Sequence, residues 1–451
     1  MNNYYKILPE KIYKASDVID EALKPLVRGI NSDYWQEIIS IICYHLQKDI
    51  QAAPLQINTL KKLVPQADKY LNGLIKAGVI VREGRYIPGK LCYRYTIAPE
   101  YQSLFITLPL KNMKLIRRIE KVREKELQKC RREMRGRTEQ IKFLTRLEID
   151  PAFQKYLAEE ELSAEQYNSA ITAAFRIVNK DIFYKVDKTS GRFHSNVTNL
   201  PKGLRQFLRV NGEPLCNIDI KNSQPYLSTI LLTNPGKAST FTENTAFALL
   251  LQNLKVSLKE DVKKYINLVA SGGLYEYLMQ AFAEEGIVLT RQETKLQVLR
   301  ILFARNRLPK NEINRACRLI FKKHFPTVQR IFNKIRGNER GDKFQNYKRF
   351  AILLQRIESF LMLDVILKRI YREMPGVIAI TIHDSIMTGI LTNKVDAVRK
   401  IIEEELTFFV GISPKIKIEG ILTGKGEKQN QEIILKQYDA TISVNNCIYD
   451  N

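Results

Sequence analysis

Two aspartates sit where a carboxylate is hard to explain by packing alone. In the segment Glu213–Leu227 an apolar run from Leu215 to Ile220 carries Asp219 near its end, and Ser223 and Pro225 then open a helical pattern rich in Leu and Ile. A charge on an apolar strand is costly unless a partner or a metal satisfies it. The ordinary alternative is that Asp219 caps the following helix. In Val377–Leu391, two apolar β-like runs flank His383-Asp384-Ser385, which predicts a hairpin with a carboxylate at its turn. Aspartate is at home in tight turns, but an exposed hairpin ordinarily uses Asn-Gly or Asp-Gly. Carboxylates delivered by neighbouring strand ends can hold two divalent cations, a centre suited to activating a 3′-hydroxyl and stabilising a leaving oxygen in an in-line displacement. Mg²⁺ fits such a centre because it takes oxygen ligands and keeps waters and substrate phosphates. Mn²⁺ is the alternative ion, and the backbone carbonyl of Ile220 is a further candidate ligand.

A third segment supplies cations. Thr290–Ala304 reads as a helix capped by Thr290, with Arg291 and Lys295 one turn apart on one face and Leu299 and Phe303 continuing along it. From Arg291 to Phe303 the axis covers about 18 Å, comparable to an outstretched nucleoside triphosphate. Cations at one end can grip phosphates, and an aromatic at the other can meet sugar and base. The plain alternative is an amphipathic helix with a basic edge.

The elements that must position these residues belong to a long, basic chain. It has 451 residues, enough for two or three compact units, and a hydrophobic fraction of 45%, enough for real cores. The 72 Lys+Arg against 48 Asp+Glu give a formal net charge of +24, which points to a polyanionic partner, nucleic acid before membrane. No apolar stretch reaches bilayer-spanning length, and the start lacks a signal-peptide core. Six scattered cysteines with no C-x-x-C argue against a disulfide framework or a zinc site. A reducing, cytoplasmic setting is expected.

Residues 1–32 read as a short helical lead-in. Asp33–Leu46 (Trp35, Ile38, Ile39 and Ile42 facing inward), Asn58–Leu63 and Gln66–Ala77 read as three helices. Val79–Arg82 and Leu91–Ile97 read as a hairpin. Three helices and a hairpin in that order resemble a winged helix, with Arg82, Arg85 and Lys90 on the wing. A packing module that touches no DNA has the same pattern. Lys111–Arg146 holds fourteen Lys/Arg and five acids, a long basic helix with a break expected near Gly136. From about Gly424 the chain turns polar and reads as a loose tail.

Taken in order, these segments resemble family A DNA polymerases and the related phage-type single-subunit RNA polymerases over roughly residues 185–420. Asp219 matches the motif A aspartate, with Ser223 and Gln224 echoing the small polar pair behind it. The R-x-x-x-K-x-x-x-L-x-x-x-F-A of Arg291, Lys295, Leu299, Phe303 and Ala304 resembles motif B, and His383-Asp384-Ser385 resembles motif C. Gly191–Ser195 and Asn199–Lys202 look like the segment before motif A that touches primer–template, and Gln355 resembles a template-contacting glutamine. The pattern departs from the family in three places. Ser-Gln stands further from Asp219 than in the DNA enzymes, with no glutamate after it; Phe303-Ala304 replaces Tyr-Gly; and Ser385 replaces glutamate, as in the RNA enzymes.

The resemblance implies an α+β right-hand polymerase, with thumb, a palm built on a small antiparallel sheet and helical fingers, plus the N-terminal winged-helix-like domain. The expected domains are 1–100 accessory, 101–180 basic linker and thumb, 181–235 and 346–425 palm, 236–345 fingers and 426–451 tail. The implied activity is template-directed DNA synthesis from a 3′-hydroxyl with two Mg²⁺ ions and no proofreading exonuclease. Asp219, Ile220 and Asp384 would hold metal. Asp219, Asp384, Arg291 and Lys295 would be the catalytic set. Arg291, Lys295, Leu299, Phe303, Tyr226, Ser223 and Gln224 would meet the incoming nucleotide, and Arg192, Lys202, Arg205, Gln355 and His383 the DNA primer–template, or RNA in its place. The alternatives are a single-subunit RNA polymerase or primase-like enzyme, and a non-catalytic DNA-binding replication protein. The absence of an exonuclease pattern and the added module suggest a specialised enzyme of a phage, plasmid or other mobile element.

Overall fold

The computed structural model describes residues 4–46, 51–87, 89–337, 346–390 and 394–420. The polar stretch expected from about Gly424 lies outside them. The fold mixes helices with small antiparallel sheets and divides into two compact units.

The first unit comprises Met1–Phe183 and Asn199–Asn211. Its helix Ser32–His45 starts where Asn31 accepts from the Asp33 N–H, and it buries Trp35, Ile38, Ile39 and Ile42 completely. Helices Ile57–Leu63 and Ala67–Lys76 follow. Strand Arg94–Ile97 lies between Ile80–Glu83 and the two-residue strand Ala53–Pro54, all antiparallel. The expected helices and hairpin are present, and the third strand was not legible because a two-residue run carries no period.

The lead-in differs from the sequence reading. Residues Tyr5–Pro9 form a strand paired with Phe105–Pro109, and two short helices, Glu10–Lys14 and Ser16–Leu23, follow it. The partner strand lies about a hundred residues away, so local periodicity could not reveal it. The basic helix runs Met113–Glu133. It ends at a 3₁₀ turn, Arg135–Arg137, that contains Gly136, and a second helix, Thr138–Arg146, continues. Only Leu115, Ile116, Ile119 and Cys130 of the long helix are buried, so its charge is mostly displayed to solvent.

The second unit comprises Tyr184–Thr198 and Gly212–Asn451. Its sheet is built on the central strand Glu213–Ile220. The hairpin Ala379–Ile382/Ser385–Gly389 pairs on one side and Ile416–Glu419 on the other, all antiparallel. Ile218, Ile220 and Ile386 turn toward a helical body whose core is dense in aromatics, including Tyr265, Phe282, Phe321, Phe325, Phe332 and Phe350.

Two features rigidify that body around the site. The helix Arg291–Phe303 opens with a full capping box between Thr290 and Glu293. At its other end, buried Arg336 donates to the carbonyls of Ile301, Leu302 and Ala304, groups the helix itself leaves unsatisfied. The helix Asn346–Ser359 passes through a π-helical stretch, Phe360–Ile366, into Leu367–Glu373. Such widened turns recur at functional sites.

Candidate active site

The two aspartates reach the same end of the sheet. Central strand and hairpin pair so that Leu215 faces Gly389, Ile218 faces Ile386, and Asp219 faces Ser385. Asp384 immediately precedes Ser385, in a two-residue turn closed by the Ile382–Ser385 pair. His383, the first turn residue, is in the left-handed region (φ 53°), the sense of backbone twist that tight hairpins favour. Both aspartates are half-buried. The N-cap position of the helix behind Asp219 belongs to another residue. That helix, Ser223–Ser228, is preceded by Asn222 and has no side-chain cap.

The donor set is two carboxylates on adjacent strand ends, hard oxygen ligands of the kind Mg²⁺ takes. Among the described residues no three His, Cys, Asp or Glu side chains gather into a closed cage. Beside Asp219, both amide atoms of buried Asn222 and the Ser223 hydroxyl have no hydrogen-bond partner among the described residues.

The cationic helix meets Tyr275 and Glu276. The guanidinium of Arg291 lies 5.4 Å from the Tyr275 ring centroid, and its Nε donates to Glu276 at 2.6 Å. Burial drives the Tyr275 phenol above its ordinary range; Arg291 opposes this, while Asp384 and Glu276 add to it. Asp384 and Arg291 thus act electrostatically on one side chain. Lys295 is exposed one turn further on, Leu299 is half-buried, and Phe303 is buried against Phe350 at 6.0 Å between centroids. The line of four therefore rotates from solvent into the core. Its aromatic end is packing, because the residues drift around the helix as they ascend it.

A further acid, absent from the sequence reading, organises the other side. Glu358, 2% exposed, accepts from Arg192 Nε at 2.8 Å and Nη2 at 2.7 Å, and from Gln224 Nε2. Burial pushes its carboxyl up to about 7. Arg192 pulls the other way, and the charge of Asp384 adds to the rise. The signal was present: Glu358 falls four residues after Leu354 and eight after Phe350, on the apolar stripe of its helix. The His194 ring meets the His383 ring edge-on at 5.4 Å, so the hairpin Tyr184–Val186/Phe193–Ser195 also reaches the His383-Asp384 turn. Burial, then the Arg192 charge, lowers the His194 pKa.

Arg192, Gln224, His383, Asp384 and Asp219 are therefore drawn into one neighbourhood, with Arg291 linked to it through Tyr275. Gln355 is half-buried on the helix that carries Glu358. Lys202 and Arg205 belong to the first unit, on the 3₁₀ turn Lys202–Phe207, where Arg205 Nε donates to the Leu200 carbonyl at 3.1 Å. Tyr226 does not line an open face. It is 1% exposed and its hydroxyl donates to the Ile412 carbonyl at 2.6 Å, because the short helix after Asp219 turns that ring into the core. Tyr275 and Glu358 were missed because each acts through tertiary neighbours.

No protein-family model matches the chain, and no curated protein matches it. Among solved structures, the POL domain of Pol1 from M. smegmatis, in complex with DNA primer-template and dNTP, aligns with 92% of this chain at 10% identity and a TM-score of 0.29. This chain spans 66% of that structure's length. A likeness at that score does not define a shared fold. Among the described residues no helix is long and apolar enough to cross a membrane.

Proposed function

We propose that the chain is a template-directed nucleotidyltransferase, a family A-like DNA polymerase that extends a 3′-hydroxyl. The observation that carries this reading is the antiparallel register setting Asp219 opposite Ser385, which delivers Asp219 and Asp384 to one end of neighbouring strands. Asp219 and Asp384 would hold Mg²⁺, with the Ile220 carbonyl as a further ligand. When bound, the ions supply charge compensation at the attacking and leaving oxygens. Arg291 and Lys295 hold the triphosphate, drawing its charge toward the carboxylate end. Arg192, His383 and Gln355 orient primer and template beside it, and Ser223 and Gln224 form the polar wall next to Asp219.

In this reading the sheet is the palm and the helices of 236–345 are the fingers. The first unit contributes the basic helix, the Lys202–Arg205 turn and a winged-helix-like module to nucleic-acid binding. The helix–strand–helix–helix–hairpin order of residues 32–97 supports that module, and the net charge of +24 supports a nucleic-acid partner.

Primer extension tests the proposal. The full chain, a recessed 3′ duplex and Mg²⁺ are incubated with dNTPs in one arm and NTPs in the other. Extension that Asp384→Ala abolishes is expected. No incorporation in either arm, or incorporation untouched by Asp384→Ala, rejects it.

A further inference from the structure

Glu358 lies in the interior of the second unit, yet both of its partners come from segments implicated in substrate contact. Arg192 is 166 residues away and Gln224 is 134. Arg192 directly precedes the hairpin strand Phe193–Ser195. Gln224 opens the helix five residues past Asp219. The helix of Glu358 docks the same hairpin through two more contacts that bracket it. Arg356 Nε donates to the Thr189 carbonyl at 2.8 Å. Gly191, at φ +73°, lies so close that a Cβ there would stand 3.5 Å from Ser359 Cβ. The hairpin turn is itself pinned, because Asp187 accepts from the backbone of Thr189 and Ser190 and from the Ser190 hydroxyl.

A buried carboxylate is a poor way to gain stability, since apolar residues of similar size usually do as well. What it adds is direction: two oxygens fix a guanidinium on one side and an amide on the other. Arg192, held by Glu358 through Nε and Nη2, keeps 19% of its side chain exposed.

Resting on the polymerase reading, we propose that Glu358 is a positioning residue that locks Arg192 of the hairpin and Gln224 of the Asp219 segment into one unit, presetting the primer–template contact relative to the carboxylate pair. It touches no substrate itself. Its loss therefore degrades engagement of the nucleic acid more than the chemical step.

The test uses the full chain in primer extension, with wild type, Glu358→Gln, Glu358→Asp, Arg192→Ala, Glu358→Ala and the Arg192→Ala/Glu358→Ala double variant. For Glu358→Gln and Arg192→Ala, the KM for primer–template should rise about tenfold, within the range of residues coupled in one network, with kcat little changed. Glu358→Asp should recover part of the loss. The double variant should be no worse than the worse single one. Unchanged KM in folded Glu358→Gln, or losses that simply add in the double variant, would overturn the proposal.

Should Glu358→Ala fail to fold, Glu358→Gln against Arg192→Ala, which leaves the carboxylate in place, still decides it. Should wild type itself not extend a primer, the polymerase reading fails. Fluorescence anisotropy of a labelled recessed duplex then reads the clamp alone. Equal weakening by Glu358→Gln and Arg192→Ala supports it, and no weakening by either rejects it.

Discussion

Asp219 stands directly opposite Ser385 in antiparallel register, with Asp384 one residue before it at the hairpin turn. This pairing turns two acids 165 residues apart in sequence into a candidate bimetal centre. Asp219→Asn and Asp384→Asn should each cost several kcal/mol of transition-state stabilisation, about a thousandfold or more in kcat. The double variant should lose little beyond either single one, because both serve one centre. Single-turnover extension measures this, and strictly additive losses would separate the two residues.

Among the described residues, Arg291, itself exposed, pairs with exposed Glu276 and lies over the ring of buried Tyr275. Replacing it with alanine should change folding stability by less than about 1 kcal/mol, the usual worth of an exposed pair. The nucleotide KM, by contrast, should rise about tenfold or more, as expected for losing a charge-assisted phosphate contact. Urea denaturation and nucleotide titration separate the two effects. A large stability loss with unchanged KM would make Arg291 a structural residue.

Tyr226 and Phe303, expected from the sequence at the nucleotide, are core residues. Tyr226→Phe should cost about 1 kcal/mol for the lost bond to Ile412 and leave the ratio of dNTP to NTP incorporation unchanged. Phe303→Ala should cost about 3–5 kcal/mol through the cavity left beside Phe350. A changed sugar preference in Tyr226→Phe would restore the sequence expectation.

Arg336 is 1% exposed and closes the C-terminal end of the helix that carries Arg291 and Lys295. Burial, with the Arg318 charge, lowers its pKa to about 9. Arg336→Met should destabilise by on the order of 3 kcal/mol, because three carbonyls lose their donor. The denaturation midpoint reports this. A variant as stable as wild type would show that the carbonyls find other donors.

Glu358 carries a pH signature. Its carboxyl, near 7 when folded, binds its proton more tightly than in the unfolded chain, where a glutamate titrates at about 4.3. The folded state therefore holds the extra proton between those values, and this group's contribution to stability rises as pH falls through that window. Measured against Glu358→Gln, wild type should gain on the order of 2–3 kcal/mol between pH 8 and pH 5. Parallel stability curves for the two proteins would show that the carboxyl is ionised throughout.

What the sequence alone determined is local. The Thr290 cap, the apolar stripe of Trp35, Ile38, Ile39 and Ile42, the break around Gly136 and the hairpin around His383-Asp384 are set by helical period, capping and turn chemistry within a few residues. Tertiary structure alone decided the rest: that Glu213–Ile220 lies beside Ser385–Gly389, that Tyr5–Pro9 is a strand, that Tyr226 and Phe303 face the core, and that Glu358 joins Arg192 to Gln224. Strand partners, and the choice of which polar group is buried against which, depend on contacts between segments more than a hundred residues apart. No local pattern encodes them.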